Sequence, residues 1–134
     1  MKTIVEQNVL DAILPLFPEK HPLLYKMLPA TLSDVPFHKD TACITRYTAK
    51  GFPFHLAVHR VSPVWVPPVE YTEPHWHSDH DEINIIIGEN LSYKIQMGKD
   101  VMTVHNNTSI WIPKGMLHAA NVLEGSGFFV TIRI

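Results

Sequence analysis

Apolar residues near the start of the chain recur at the spacing of an α-helix. The series predicts one buried helical face, made of Val5, Val9, Ala12, Ile13 and Leu16. Thr3 and Glu6 have the spacing of a capping box at the helix start. Pro15 and Pro18 are expected to end this helix, because proline lacks the amide hydrogen that a helix interior requires.

A second short helix is predicted before Pro29, on the apolar residues Leu23, Leu24, Met27 and Leu28. We therefore expect residues 1–40 to form a partly helical N-terminal extension packed on the main domain, residues 41–134. Two functional roles are also open for the extension: a lid over a pocket, or an arm onto a partner subunit.

From residue 41 onward the pattern changes to short segments with alternating apolar and polar residues. In residues 91–97, Leu91, Tyr93, Ile95 and Met97 alternate with polar side chains, which is typical of antiparallel sheet with one polar face. The predicted strands are Thr41–Tyr47, Phe54–Val61, Glu82–Ile87, Leu91–Met97, Asp100–His105, Thr108–Ile112 and Gly127–Ile134. Turns are predicted at 51–53, 88–90 and 98–100, where glycine is present. Short strands at this spacing indicate an all-β sandwich or small barrel.

Composition narrows the class of protein. The chain has 134 residues, which fits one domain, and its 46% hydrophobic content is far above that of a disordered chain. A net charge of -2 gives no electrostatic reason to expect nucleic acid or an anionic membrane as a partner. The lone Cys43 excludes an internal disulfide and a cysteine-based zinc site. No targeting segment or membrane span is visible, so we expect a cytoplasmic protein.

The residues that indicate chemistry are His75, His77, Glu82 and His118. Histidines two apart on an extended chain point to the same side, and each offers a neutral nitrogen to a divalent cation. Glu82, at the start of the next predicted strand, and His118, directly after a predicted turn, could complete the site. Three nitrogens and one oxygen would leave two open positions on an octahedral metal. His80 is expected to face solvent or to support a ligand.

These residues resemble the two motifs of the cupin superfamily. His75, His77, Glu82 and Gly88 match the first motif, an H-x-H followed by a glutamate and then a glycine. The second motif, P-x-G-x-x-H, matches at Pro113, Gly115 and His118. Two positions depart from it: Asn107 stands where the motif begins with glycine, and Asn121 comes one residue early. The resemblance covers residues 55–134.

The resemblance implies a double-stranded β-helix, the cupin jelly-roll barrel, with one divalent metal ion held inside by His75, His77, Glu82 and His118. Iron, manganese, nickel and zinc are all open as the metal. It further implies a metal-dependent enzyme acting on a small organic molecule, by dioxygenase-like oxidation, isomerisation or decarboxylation. The alternative is a non-catalytic cupin that binds a sugar or another small effector. Small cupins also lead us to expect a homodimer.

Candidates for substrate contact come from strand parity and residue type. Asn84 is two residues after Glu82 and should share its inward face. His55 and His59 share one face of a strand, which either lines the cavity or, as we expect, forms an exposed polar face. Arginines in strands, Arg46, Arg60 and Arg133, could clamp a carboxylate or could simply be solvated. Arg60, with the aromatic residues Tyr47 and Trp111, completes the candidate set of Asn84, His59, Arg60, Tyr47 and Trp111.

Overall fold

Antiparallel β-structure dominates the computed structural model, which describes residues 21–134. The described strands are β1 (Met27–Ala30), β2 (Ile44–Ala49), β3 (His55–Val64), β4 (Glu82–Met97), β5 (Asp100–His105), β6 (Thr108–Ile112) and β7 (His118–Arg133). A single 3-10 turn, Leu32–Asp34, interrupts the connection from β1 to β2. The predicted all-β class is confirmed. No helix within residues 21–134 is long and apolar enough to cross a membrane.

Strands β4 and β7 organise the sheet. Its order is β1-β2-β3-β7-β4-β5, with β6 paired to β4, and every pair is antiparallel. β4 pairs with β7 from Glu82 to Met97, while β6 takes the first half of its other edge and β5 the second half. Because β4 exchanges partners halfway along, the sheet wraps around one core, which includes Ile86, Leu91, Tyr93, Ile95, Ile112, Val122 and Phe129.

The predicted turn at residues 88–90 is wrong. β4 continues through Gly88, Glu89 and Asn90, and the pairing with β7 shifts register between Glu89 and Ser92. Glycine and asparagine suit this irregularity as well as they suit a hairpin, because Asn90 has a φ of 50°. β7 likewise begins at His118, well before the predicted Gly127. The predicted turns at 51–53 and 98–100 do separate strands.

The second predicted helix is also wrong. Met27–Ala30 is strand β1, which pairs with β2 in a register that sets Met27 opposite Ala49. β1 lies at the edge of the sheet, where Pro29 is tolerated because an edge leaves some amides unpaired. The sheet therefore starts inside the segment assigned to the extension, before residue 41. The first predicted helix, from Thr3 to Pro18, lies outside the described residues.

Candidate metal centre

Three histidines and a glutamate meet at one end of the barrel. His75 and His77 lie on the extended chain that precedes β4, Glu82 is the first residue of β4, and His118 is the first residue of β7. A backbone bridge holds two of them together: the His75 amide donates to the His118 carbonyl (3.0 Å), and the His118 amide donates to the His75 carbonyl (2.8 Å). One ligand atom from each histidine lies within 4.8 Å of the other two.

Backbone carbonyls fix the orientation of two of the rings. His75 Nδ1 is 2.8 Å from the Glu73 carbonyl oxygen, and His118 Nδ1 is 2.9 Å from that of Met116. A carbonyl only accepts, so in both rings Nδ1–H donates and the neutral ring carries its lone pair on Nε2. Such contacts are typical of metal-ligating histidines, since they fix the tautomer that presents Nε2 to an ion.

The Nε2 atoms that face the site have no hydrogen-bond partners. Nε2 of His77 and of His118 are both buried and unbonded. Glu82 lies beside them, with Oε1 3.3 Å from His77 Nε2 and Oε2 3.4 Å from His118 Nε2. Buried nitrogens without partners are costly, and a cation between these groups would satisfy them. The donor set, three imidazoles and one carboxylate, therefore fits a divalent metal ion.

The electrostatics keep most of these groups in the protonation state that a metal requires. Burial acts to raise the pKa of Glu82, but contacts with His118, Asn84 and Arg133 outweigh it and lower this pKa to about 2. Burial, together with the charge of Arg133, lowers the pKa of His77 to about 4. Burial also lowers the pKa of His75. His118 differs: burial opposes protonation, yet the Glu82 carboxylate beside it raises its pKa. At neutral pH Glu82 is therefore ionised, while His75 and His77 are neutral.

A cavity with both polar and apolar walls opens directly beside this centre. Its volume is about 40 Å³, room for about three water molecules at roughly 10–15 Å³ each. His75, Glu82 and His118 form part of its wall, and the rest includes Arg46, His59, Asn84, Phe129 and Arg133. Asn84, His118 and Arg133 in the wall contact Glu82, and the charged and polar side chains of the wall suit a small polar molecule held next to the metal ligands.

Two of the five candidate substrate residues line this cavity. Asn84 is 1% exposed and donates from Nδ2 to Glu82 Oε2 (3.1 Å), as strand parity predicts. His59 is 7% exposed and also lines the cavity. Its strand face, with His55 and the buried Ala57, is turned inward, so the expectation of an exposed polar face is wrong. Ala57 leaves space between the two rings, and the opposite face of β3 carries the exposed Arg60.

The other three candidates lie away from the cavity. Arg60 points outward on β3, because it is one residue out of phase with the inward-facing His59. Trp111 is 55% exposed on β6, between the buried Ile110 and Ile112. Tyr47 is out of phase with Arg46 on β2 and does not line the cavity. His80, next to the metal centre in sequence, is half-exposed, with Nε2 3.4 Å from Asp79 Oδ2.

His38 and Phe37 are functional positions that are not among the candidates from sequence. Arg46 and Arg133, which the sequence offers as possible carboxylate clamps, both line the cavity. Their inward parity with His59 and Glu82 follows from the strand register, which the sequence does not reveal. His38 lines the cavity as well, and Phe37 stacks on the His75 ring with centroids 5.5 Å apart. Phe37 has a φ of 68°, rare for a bulky residue, so the chain holds a strained turn over this ligand.

Asn121, one residue early for the second motif, has a structural position. Its Oδ1 accepts hydrogen bonds from the Tyr71 and Thr72 amides (2.9 Å each), and its Nδ2 donates to the Thr72 carbonyl (3.1 Å). The side chain is 5% exposed. It therefore ties the segment that leads to His75 onto β7, the strand that begins with His118.

No protein-family model and no curated protein sequence matches the chain. Solved structures do. A predicted oxalate decarboxylase from Thermotoga maritima matches with a TM-score of 0.58 at 13% identity, over 81% of this chain and 93% of that chain. A cupin superfamily protein from Desulfitobacterium hafniense matches with a TM-score of 0.54 at 11% identity, over 89% of this chain and 94% of that one. KdgF from Halomonas sp. matches with a TM-score of 0.53 at 14% identity, over 78% and 93%. At these identities the likeness lies in the backbone, and it shows that the chain has the fold of the cupin superfamily.

Proposed function

We propose that the protein is a mononuclear metal-dependent enzyme that acts on a small organic molecule. His75, His77, Glu82 and His118 would hold one divalent ion. The observation that carries the proposal is the convergence of three imidazoles, two of them with buried Nε2 atoms that make no hydrogen bond, beside a cavity whose wall includes His75 and His118. A purely structural histidine cluster would be expected to pair those atoms with protein groups.

The bound ion would supply Lewis-acid chemistry or the activation of O₂. The ligand set leaves two positions open on an octahedral ion, enough for a substrate atom and a second reactant. Oxidation of a small molecule by O₂ is the leading reaction, with isomerisation and decarboxylation as the other reactions that this set can support. Iron, manganese, nickel and zinc all accept such ligands.

Residues of the chain would position the substrate beside the ion. Asn84 holds one oxygen of Glu82 by a hydrogen bond. The buried His59 has a pKa lowered to about 3 by burial first and then by the charge of Arg46, so it is a neutral hydrogen-bonding group in the cavity. The small volume excludes bulk water around a bound ligand.

Metal content per chain tests the proposal. The tag-free protein, purified and then reconstituted with iron(II), manganese, nickel or zinc, is expected to retain about one ion per chain for at least one of these metals. His77→Ala and Glu82→Ala are expected to lose it. His80→Ala is the matched control, because His80 is close in sequence but half-exposed and outside the cluster. Stoichiometric metal in both His77→Ala and Glu82→Ala would overturn the assignment of the site.

Turnover separates an enzyme from a binding module. The metal-loaded protein is expected to consume O₂, or to convert substrate anaerobically, when it is screened with small organic acids and sugars. A metal-loaded protein that does neither over a broad panel would favour the alternative of a non-catalytic cupin that binds a small effector.

We also propose a homodimer. An exposed cross-strand pair supports it: Ile87 of β4 lies opposite Phe128 of β7, and these side chains are 52% and 47% exposed. Light scattering after size-exclusion chromatography at micromolar concentration is expected to give twice the chain mass, and a monomer would refute the proposal. The expected cytoplasmic location stays a prediction.

A further inference from the structure

Two arginines from separate strands meet in the cavity beside the metal centre. Arg46 comes from β2 and lies opposite His59, while Arg133 comes from the end of β7 and lies opposite Glu82. Both side chains line the same cavity as His75 and His118. Strand register therefore brings two guanidinium groups and three prospective metal ligands to one small space.

Neither guanidinium has a full set of partners within residues 21–134. Arg46 is only 8% exposed, and no hydrogen bond or salt bridge joins its guanidinium to another described residue. Asp34, whose charge acts on Arg46, is exposed and makes no salt bridge with it. Arg133 is half-buried and pairs with Glu82, with Nε 3.4 Å from Oε1, but this Nε has no hydrogen-bond partner. A buried charge without a close partner is costly, and Glu82 is shared with two histidines, so the described residues leave a place for an anionic partner.

The net charge of the cavity wall predicts that the partner is an anion. Glu82 is the only acidic residue in the described wall, against Arg46 and Arg133. The wall therefore carries an excess of one positive charge when its histidines are neutral, and a divalent ion on Glu82 would raise that excess. Burial and the charge of Arg133 both lower the pKa of Arg46, which reflects the same excess. An anion would relieve it.

We propose that Arg46 and Arg133 bind the carboxylate of a small organic acid, which is the substrate class of this cavity. The inference rests on the proposed function and deepens it. A guanidinium presents paired N–H donors that match the two oxygens of a planar carboxylate. A carboxylate at Arg133 lies next to Glu82, which places the remainder of a small acid beside the metal ligands. The volume of about 40 Å³ restricts the ligand to a few heavy atoms.

The test compares acetate with its neutral isostere acetamide on the zinc-loaded full-length protein. Binding is followed by NMR titration at constant ionic strength in the wild type, Arg46→Gln and Arg60→Gln. We expect acetate to bind the wild type, acetamide to bind at least tenfold more weakly, and Arg46→Gln to lose roughly tenfold or more in acetate affinity. Arg60→Gln, an exposed arginine of the neighbouring strand, is expected to match the wild type. Equal acetate affinity in Arg46→Gln and wild type would overturn the inference, as would phosphate that binds more tightly than acetate.

Stability separates a binding role from a structural one. Arg46→Met removes a buried cation that has no ion-pair partner among residues 21–134, so we expect its melting temperature to equal or exceed that of the wild type while acetate binding is lost. A lower melting temperature with unchanged acetate binding would mean that Arg46 serves the fold, and would overturn the inference.

The metal content of the same samples shows whether a negative result contradicts the carboxylate site or the proposed metal-dependent function. If the Arg46→Gln variant retains zinc but no longer binds acetate, the result supports the carboxylate site. A wild type that retains no metal overturns the proposed function, yet acetate binding to that metal-free protein would still support the inference if it depends on Arg46.

Discussion

At the scale of single residues, Glu82 is the group on which the site converges. Its two oxygens lie near His77, His118 and Arg133, and it accepts one hydrogen bond, from Asn84. The carboxylate is 6% exposed, so these neighbours replace the water that would otherwise solvate it. Its direction toward the histidines thus depends on Asn84, since the other contacts lack hydrogen-bond geometry.

Asn84 is therefore expected to control metal affinity without touching the metal. In Asn84→Ala, Glu82 loses its hydrogen bond and can rotate away from His77 and His118. Groups that orient metal ligands typically contribute 10–100-fold in affinity, so we expect a loss of roughly that size. Competition with a chromophoric chelator measures the change.

Gln96→Ala is the matched control for this prediction. Gln96 is an amide on the same strand; it lies opposite Ala119, next to His118 in register, but its side chain donates to the Gly98 carbonyl and does not line the cavity. It is expected to leave metal affinity within twofold of the wild type. If Asn84→Ala folds and binds metal as tightly as Gln96→Ala does, Asn84 has no orienting role.

At the scale of elements, β4 and β7 approach each other more closely at Gly88 than side chains allow. A Cβ at Gly88 would lie 2.0 Å from the Ser126 carbonyl oxygen. Gly125 and Gly127, on the facing strand, are crowded in the same way by the backbone of Asn90 and Ile87. The glycine of the first motif thus permits the two long strands to stay paired through their register shift.

Gly88→Ala is expected to destabilise the protein by roughly 3 kcal/mol, because the clash is with backbone and one strand must move. Urea denaturation measures it. Gly98→Ala is the control: its Cβ meets nothing within 4 Å, and only the φ of 61° opposes it, at a cost of about 1 kcal/mol. Equal losses in the two variants would mean that the approach of β4 and β7 is looser than described.

The strands that local signals define were predictable from the sequence. Asp100–His105 and Thr108–Ile112 have the predicted bounds, since a glycine turn and alternating residues define them locally. Met27–Ala30 was not, because its strand state depends on pairing with β2, and its apolar spacing suits a helix equally. The glycine and asparagine at 88–90 likewise fit a turn or a bulge.

The same distinction holds for the site. The spacing of His75, His77, Glu82 and His118 is a local signal, and the structure brings these side chains together. The cavity wall is a long-range result: Arg46 faces it and Arg60 does not because of how β2 and β3 pair. The register of β2 against β3 is a long-range property, and it cannot be predicted from the residues of either strand alone.

At the scale of the whole molecule, the barrel encloses neutral histidines. His59 is the extreme case: burial, and then the charge of Arg46, lower its pKa to about 3. His55 on the same face has a pKa lowered to about 4, chiefly by burial. Arg46, His38 and His55 are the cationic or titratable groups that act on His59, with Glu82 opposing them. The cavity around His55 and His59 therefore disfavours protonation of these two rings.

This burial predicts that acid destabilises the metal-free protein. Above pH 6.5 His59 is neutral in both the folded and the unfolded chain and contributes no pH dependence. Below pH 6.5 His59 binds a proton in the unfolded chain, whereas His59 in the folded chain stays neutral down to about pH 3. The free energy of unfolding therefore falls as the pH is lowered. For a histidine shifted this far, the loss between pH 7 and pH 5 is about 2 kcal/mol.

Urea denaturation of chelator-treated protein at pH 7 and pH 5 measures this loss in wild type and His59→Gln. Glutamine keeps a polar group in place but binds no proton, so the variant should lose less stability than the wild type by about 2 kcal/mol over this range. Glu82 does not contribute there, because its pKa of about 2 in the folded chain affects stability only below about pH 4.5. His105→Gln, on the exposed face of β5, should keep the wild-type dependence. An identical pH dependence in wild type and His59→Gln would mean that His59 is protonated in the folded chain near its usual pH. Water would then reach His59 beside Arg46.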